Sequence, residues 1–353
     1  MSVRYNAAFT ALLAAALFGA TTPLAKTLLG TMSPFMVAGL FYLGSGVGLA
    51  VAIAFQRVRR SDKERANESR IQMAEVPWLL GAIAAGGIAG PVLLMFGLST
   101  TPAATSSLLL NLEGVFTAVI AWVVFRENVD AQIFLGMVAI VAGGVALSWQ
   151  PGTSGISIGA LLVAAACACW AIDNNLTRKV STNDAMVIAC LKGLIAGSVN
   201  LCIALLLGAH LPGLVRTGAA MLTGLAGYGV SLALFVVALR NLGTARTGAY
   251  FSVAPLFGVT LSLILWPDIP GPLFWAAAAL MVLGVWLHIR ERHEHAHTHV
   301  LMEHNHRHRH DEHHQHTHDF KWDGDEPHTH PHQHLPITHT HGHFPDIHHR
   351  HVH

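Results

Sequence analysis

The amino-acid sequence predicts an all-α polytopic membrane protein: ten transmembrane helices in two inverted five-helix repeats, followed by a disordered His-rich C-terminal tail. Three observations predict it. First, 52% of the 353 residues are hydrophobic and 12% are charged, and the charges avoid long intervals. Several of those intervals hold 18 or more mostly apolar residues, enough to cross a hydrocarbon core of roughly 30 Å as helix. They are apolar all round rather than on one face, unlike the helices of a soluble domain. Second, the stretch Thr101–Leu147 returns over Leu242–His288 at a constant offset of 141 residues, with Phe257 on Phe116 and Gly284 on Gly143. Third, 23 of the 25 histidines follow Arg292.

Residues 1–150 form the first repeat, 151–292 the second and 293–353 the tail. Met1 to Asn6 is a polar lead, and residues 7–29 make the first span, broken near its end by Thr21-Thr22-Pro23. That segment is not a removable leader, since Phe18, Leu24 and Lys26 have internal counterparts in Trp170, Leu176 and Arg178. The second span covers about 34–55. A basic loop (Gln56 to Val76) follows and reads as a solvated connection. Spans three to five lie near 77–98, 102–125 and 131–149. Pro151-Gly152-Thr153-Ser154-Gly155 is turn chemistry and marks the seam. Spans six to ten lie near 156–177, 185–208, 218–240, 244–266 and 272–290.

With the N-terminus in the cytoplasm, the basic loop, Arg126, Arg178, Lys179, Arg240, Arg246, Arg290 and Arg292 all fall on that side. Only Lys26 and Arg216 fall opposite. This positive-inside asymmetry puts both termini in the cytoplasm of a cell (inner or plasma) membrane. Trp78, Trp122, Trp149, Trp266, Trp275 and Trp286 sit near span ends, where indole prefers the interface. The four cysteines (Cys167, Cys169, Cys190, Cys202) lie within two spans and read as small buried hydrophobes. A net charge of +1 gives no electrostatic pointer to nucleic acid.

Five spans per half is odd, so the second half enters the membrane upside down. Inverted repeats characterise one class of secondary transporter. The quoted pattern LEGVFTAVIAWVVFRENV then LGMVAIVAGGVAL, with TARTGAYFSVAPLFGVTLSLILW then ALMVLGVWL in the second half, resembles the drug/metabolite transporter superfamily of the EamA type. The resemblance covers residues 7 to about 290. It implies alternating access, a central cavity between the halves, and helices five and ten at the periphery. The expected partners are the lipid bilayer and a small-molecule substrate, and the sequence leaves a monomer and a homodimer through those peripheral helices both open.

Candidate site residues follow from cost. Glu113 lies about 11 residues from either end of its span, roughly 16 Å deep. An ionised carboxylate facing lipid there costs several kcal/mol, so it faces protein or water. It suits a substrate ammonium or a coupling proton, against the alternative of a protonated packing residue. Asn111 is about 200° round the helix from Glu113, so the two share a cavity only if the helix unwinds. The repeat places Ala254-Pro255 at Glu113-Gly114, so the second copy lacks the acid and gains a helix breaker at Pro255. Asp173 and Asn174, with Asn175, lie near the cytoplasmic end of span six, and Lys192 lies two turns into span seven. Asp173 and Lys192 are expected to pair, as a structural lock or an inner gate. Lys26 is expected to snorkel to the outer interface. Gly86 with Gly90, and Gly136 with Gly143 and Gly144, permit close helix approach.

The tail has too little apolar content to fold and is expected to be disordered. Neutral imidazole binds Zn, Ni, Cu and Co, so His293, His295, His297, His299, His304, His306, His308, His310, His313, His314, His316 and His318 are candidate metal ligands. A pH-responsive tail is the competing reading. No cofactor is required. The leading function is secondary export or exchange of a small organic metabolite, amino acid or amine-like. Its alternatives are a divalent Ni, Co or Zn transporter served by the tail, and a metal-sensing membrane protein that transports nothing. No soluble domain, phosphate loop or nucleophile constellation supports an enzyme.

Overall fold

The structure is a computed structural model. It describes residues 2–59, 71–125, 131–149, 156–180, 184–242, 247, 250–289, 294–298, 302–308, 328–334 and 338–342. The chain divides into two units, Met1–Arg290 and Glu291–His353.

The first unit is helical. Its helices are α1 (Ser2–Leu29), α2 (Pro34–Arg59), α3 (Val76–Ala82), α4 (Gly90–Thr100), α5 (Ala103–Leu109), α6 (Leu112–Phe125) and α7 (Ala131–Ser148). There follow α8 (Ile158–Thr177), α9 (Ala185–Leu206), α10 (Leu214–Gly224), α11 (Ser231–Leu242), α12 (Ala254–Leu265) and α13 (Pro272–Ile289). A π-helical turn, Ile83–Ala89, joins α3 to α4, and another, Leu225–Val230, joins α10 to α11. Each of these composites crosses as one span.

Among the described residues eight helices are long and apolar enough to cross a membrane, rather than the ten expected; two shorter apolar helices, Ala254–Leu265 and Pro272–Leu287, stand where spans nine and ten were placed. The ninth is short because the chain turns at Ser252-Val253 and most of 243–249 lies outside the described residues. The charged turn 126–130, the seam 151–155 and most of the basic loop (60–70) lie outside them too. Large apolar side chains such as Phe9, Val123 and Ile158 are exposed on the helical unit, as a lipid-facing surface requires.

Small residues set the helix spacing. At the α2–α9 crossing a Cβ on Gly193 would lie 2.6 Å from the Gly46 amide nitrogen, and one on Gly39 would lie 2.7 Å from that of Leu201. The expected close approach at Gly136 and Gly143 holds: α13 packs on α7, where a Cβ on Gly284 would meet the Gly136 carbonyl at 2.6 Å and one on Gly143 the Ala277 carbonyl at 2.9 Å. Cys167 and Cys190 are buried and turn their thiols to the carbonyls of Leu109 (3.6 Å) and Gly46 (3.4 Å).

The first π-helical turn has an evident cause. A π turn releases carbonyls from the regular i→i−4 ladder, and in hydrocarbon each must find another donor. Tyr42 Oη from α2 (2.8 Å) and Trp170 Nε1 from α8 (2.9 Å) both donate to the Gly86 carbonyl. Asn200 Nδ2 from α9 donates to the Gly87 carbonyl at 3.3 Å. Three helices are thereby fixed to one turn.

One expectation about α1 needs correction. It runs unbroken through Thr21-Thr22-Pro23, with the Thr21 hydroxyl donating to the Phe18 carbonyl at 2.6 Å. Pro23 removes one donor, and packing of α1 on α11, α12 and the second π turn holds the helix together. Lys26 reaches from α1 to the end of α4. Its ammonium donates to the carbonyls of Leu98, Ser99 (3.3 Å) and Thr101 (3.1 Å), capping the end of α4.

In the second unit four short stretches are paired as strands. β1 (Glu294–Thr298) pairs antiparallel with β4 (Thr338–Gly342), and β2 (Met302–His308) with β3 (His328–His334). The one ladder sets His295 opposite His341 and His297 opposite His339. The other sets His304 opposite His332, His306 opposite His330 and His308 opposite His328. His at every second residue is the strand period, and strand pairing satisfies the backbone without an apolar core.

Two stability outcomes follow. Gly193→Ala is expected to cost about 1–3 kcal/mol by overpacking, while Gly218→Ala, whose Cβ would meet nothing within 4 Å, leaves the melting temperature in detergent unchanged. Tyr42→Phe with Trp170→Phe is expected to be worse than the sum of the singles by about 1 kcal/mol or more, because only the double variant strips both side-chain donors from a buried carbonyl. A double-mutant cycle by thermal unfolding reads this directly.

Candidate substrate site

The span holding Glu113 is not one helix. It is interrupted at Leu110-Asn111, between α5 and α6, so Glu113 falls in the first turn of a half-helix. There the helix dipole favours a negative charge. The side chain is half-buried and lines a cavity of about 290 Å³. Its Oε1 accepts from Asn174 Nδ2 of α8 at 2.9 Å, and the same amide lies 3.3 Å from Thr117 Oγ1, one turn along α6. Asn175 is turned away, donating to the carbonyls of Ala171 (2.8 Å) and Thr117 (3.4 Å) and so tying α8 to α6. Among the described residues no salt bridge reaches Glu113.

The cavity also carries an ion pair. Lys192 of α9 donates to Asp173 of α8, as expected, and also to Thr177 Oγ1 at 2.8 Å. The Thr177 hydroxyl in turn donates to the same Asp173 oxygen at 2.7 Å, closing a three-membered network. Both charged side chains are largely withdrawn from solvent, at 16% and 12% exposure. Gly86 makes room for this acid, since a Cβ there would collide with the Asp173 carboxylate. A Cβ on Gly90 would likewise lie 3.0 Å from the Trp170 indole nitrogen.

Much of the remaining lining is aromatic. Tyr228, on the second π turn, packs against Phe18 (ring centroids 5.9 Å apart) and Tyr42 (5.3 Å). Phe251 continues the wall, 5.4 Å from Phe18 and 4.9 Å from Phe235. A carboxylate, an ion pair and aromatic faces together suit a small molecule with a cationic group and an apolar body.

Of the predicted site residues, Glu113, Asp173, Asn174 and Lys192 meet at this cavity. Asn111 and Pro255 do not. They line a separate hollow of about 180 Å³ where the two helix interruptions adjoin. Asn111 Nδ2 donates at 2.9 Å to the Leu108 carbonyl, which also accepts the Asn111 backbone N–H at 3.1 Å. Pro255 sits in the first turn of α12, where its missing N–H costs nothing. A third hollow, about 470 Å³, holds Lys26 and Asp268 between apolar walls, with Lys26 already committed to carbonyls.

Tyr42, Trp170, Tyr228 and Phe251 line or frame the site without having been singled out for it. Trp170 carried the clearest signal, as a span tryptophan far from either interface. Of the candidate metal ligands, His295, His297, His304, His306 and His308 lie on strands, and His293, His299, His310, His313, His314, His316 and His318 lie outside the described residues. Among the described residues no three His, Cys, Asp or Glu are grouped to hold an ion.

Comparison with known proteins agrees with this architecture. A crystal structure 19% identical in sequence superposes with a TM-score of 0.55, covering 80% of this chain and 96% of its own, which shows a shared fold. An uncharacterized transporter of Methanothermobacter thermautotrophicus is 29% identical over 260 residues, 70% of this chain and 76% of that one. The uncharacterized transporter YyaM of Bacillus subtilis is 26% identical over 284 residues, 76% and 88% respectively. The model of the EamA-like transporter family matches twice, over residues 6–149 and 157–290. This chain, a multi-pass membrane protein, belongs to the EamA-like transporter family.

Proposed function

We propose that the protein is a secondary transporter that exports or exchanges a small organic metabolite bearing an ammonium group, an amino acid or amine, by alternating access. The observation that carries this reading is Glu113, a carboxylate at the start of a half-helix, held by one amide and open to an aromatic cavity. Inside a membrane such a charge is costly until a cation or proton joins it. A substrate ammonium and a proton therefore compete for one site, which is the requirement for exchange.

Ten helices in two inverted repeats supply the conformational change. The double match to the family model supports this, as does the recurrence of local defects. Both π turns and both helix interruptions recur close to the offset of the sequence repeat. Packing follows the same relation: α2 lies on α9 and α7 on α13, while α6 on α8 mirrors α12 on α1. The excess of Lys and Arg on one side supports cytoplasmic termini in a cell membrane. In this scheme the Asp173–Lys192–Thr177 network holds α8 to α9 in one state and opens in the other. Lys192, once released from Asp173, faces the same cavity and suits a substrate carboxylate. Transport of a divalent metal gains no support from the described helices, which gather no ligand set.

Two outcomes check the scheme. In proteoliposomes, Glu113→Gln is expected to reduce uptake of amine or amino-acid substrates at least tenfold and flatten its pH dependence; unchanged uptake and pH profile removes the assignment. Asp173→Asn or Lys192→Met alone is expected to cost about 3–5 kcal/mol by stranding a buried charge. The double variant Asp173→Asn with Lys192→Met is expected to recover most of the melting temperature without recovering alternating access, read by cysteine accessibility from each side. Full recovery of both makes the pair a structural lock only.

A further inference from the structure

The charges that line the central cavity do not balance. Glu113 and Asp173 bring two carboxylates and Lys192 one ammonium, and among the described residues no arginine or histidine joins them. Lys192 is neutralised in place: it donates to Asp173 and to Thr177 Oγ1 at 2.8 Å, and the Thr177 hydroxyl donates to the same Asp173 oxygen at 2.7 Å. Glu113 is left with the Asn174 amide at 2.9 Å. One acid remains to be matched, and it asks for a single positive charge. Other donors of the lining are spent on the backbone. Tyr42 Oη and Trp170 Nε1 go to the Gly86 carbonyl, and Ser231 Oγ goes to the Ala14 carbonyl at 2.8 Å. What remains is ring surface. Phe235, Phe251, Phe18, Tyr228 and Tyr42 follow one another with centroids 4.9, 5.4, 5.9 and 5.3 Å apart. Such a wall holds an apolar body and attracts an ammonium, while its negative ring faces repel a carboxylate.

We infer that the substrate is a small lipophilic monoamine, and that Asp173 sets this specificity by filling, with its own carboxylate, the place a substrate carboxylate would take at Lys192. The inference rests on the reading of Glu113 as the ammonium site, and it separates the amine from the amino acid that this reading leaves open. The two seats are presented together. Asp173 and Asn174 are consecutive on α8, the first held by Lys192 and the second holding Glu113. An α-amino acid carries its ammonium and carboxylate on one carbon. With its ammonium at Glu113 it brings an anion toward the same stretch of α8, where an acid already stands. Reaching Lys192 means displacing Asp173 and leaving a buried carboxylate without its cation. A monoamine asks for no such exchange. The cavity volume, about 290 Å³, falls at the small end of ligand pockets, which run from about 300 Å³. One ring with a short amine chain suits it.

Three probes with one aromatic body test this by calorimetric titration of the full-length protein in detergent at neutral pH. Phenethylamine has no carboxylate, phenylalaninol carries a hydroxymethyl group in its place, and phenylalanine carries the carboxylate itself. The expected result is that the first two bind at least tenfold more tightly than phenylalanine, and that Glu113→Gln weakens both tenfold or more. Phenylalanine bound as tightly as phenylalaninol, with Glu113→Gln still weakening both, overturns the inference and leaves the ammonium site standing. Binding that ignores Glu113→Gln, or no binding of any probe, overturns both. Two variants then address Asp173. Asp173→Asn releases Lys192 and is expected to narrow the gap between phenylalaninol and phenylalanine to threefold or less. Asp173→Asn with Lys192→Met strands no charge and has no cation to release, so the gap is expected to stay open. A gap that closes in this double variant, or persists in a folded Asp173→Asn protein, overturns the role of Asp173.

Discussion

Inside a bilayer no water stands ready to satisfy a stray polar group, and this protein's interior is arranged around one that it frees on purpose. The Gly86 carbonyl, released by the π-helical turn, receives Tyr42 and Trp170 together. That one acceptor fixes α2 and α8 to the third span. The absent Cβ on the same residue leaves the space that Asp173 fills. Asp173 then holds Lys192, and α8, once fixed, presents Asn174 to Glu113. Remove the turn, and the aromatic frame, the ion pair and the support of the free acid lose a common reference.

Much of this was legible in the sequence, and the legible part has a physical reason. A charge in hydrocarbon is costly, so Glu113, Asp173 and Lys192 announce themselves, and opposite charges at similar depth on adjacent helices point to each other. The internal repeat announced the order of the spans, while among the described residues eight helices rather than ten are long enough to cross. What stayed hidden was backbone geometry. A run such as Ile83 to Ala89 reads as ordinary apolar helix, since nothing in its own composition shows that donors from three other helices will converge on it. Asn111 was misplaced for a related reason. Its amide turns back on its own chain, to the Leu108 carbonyl that also accepts the Asn111 backbone N–H at the interruption. Pro255 marked an interruption correctly but not a cavity wall.

The two halves share defects and divide the chemistry. Each has a π turn in its third span and a break in its fourth, so the scaffold is matched where helices must bend or end. The polar groups are not matched. Glu113 follows the first break, whereas Ala254 and Pro255 follow the second. Gly86 and its side-chain donors occupy the first π turn, while the second contributes Tyr228 to the aromatic wall. Two states of similar energy need a matched scaffold, because the exchange of roles between halves must cost little. A directed binding site needs the opposite, since a second acid related by symmetry would place two like charges against one cavity and raise the cost of emptying it. A duplicated frame that carries an acid after the helix break in only one copy fits both demands of the proposed transport, and it places that asymmetry at Glu113.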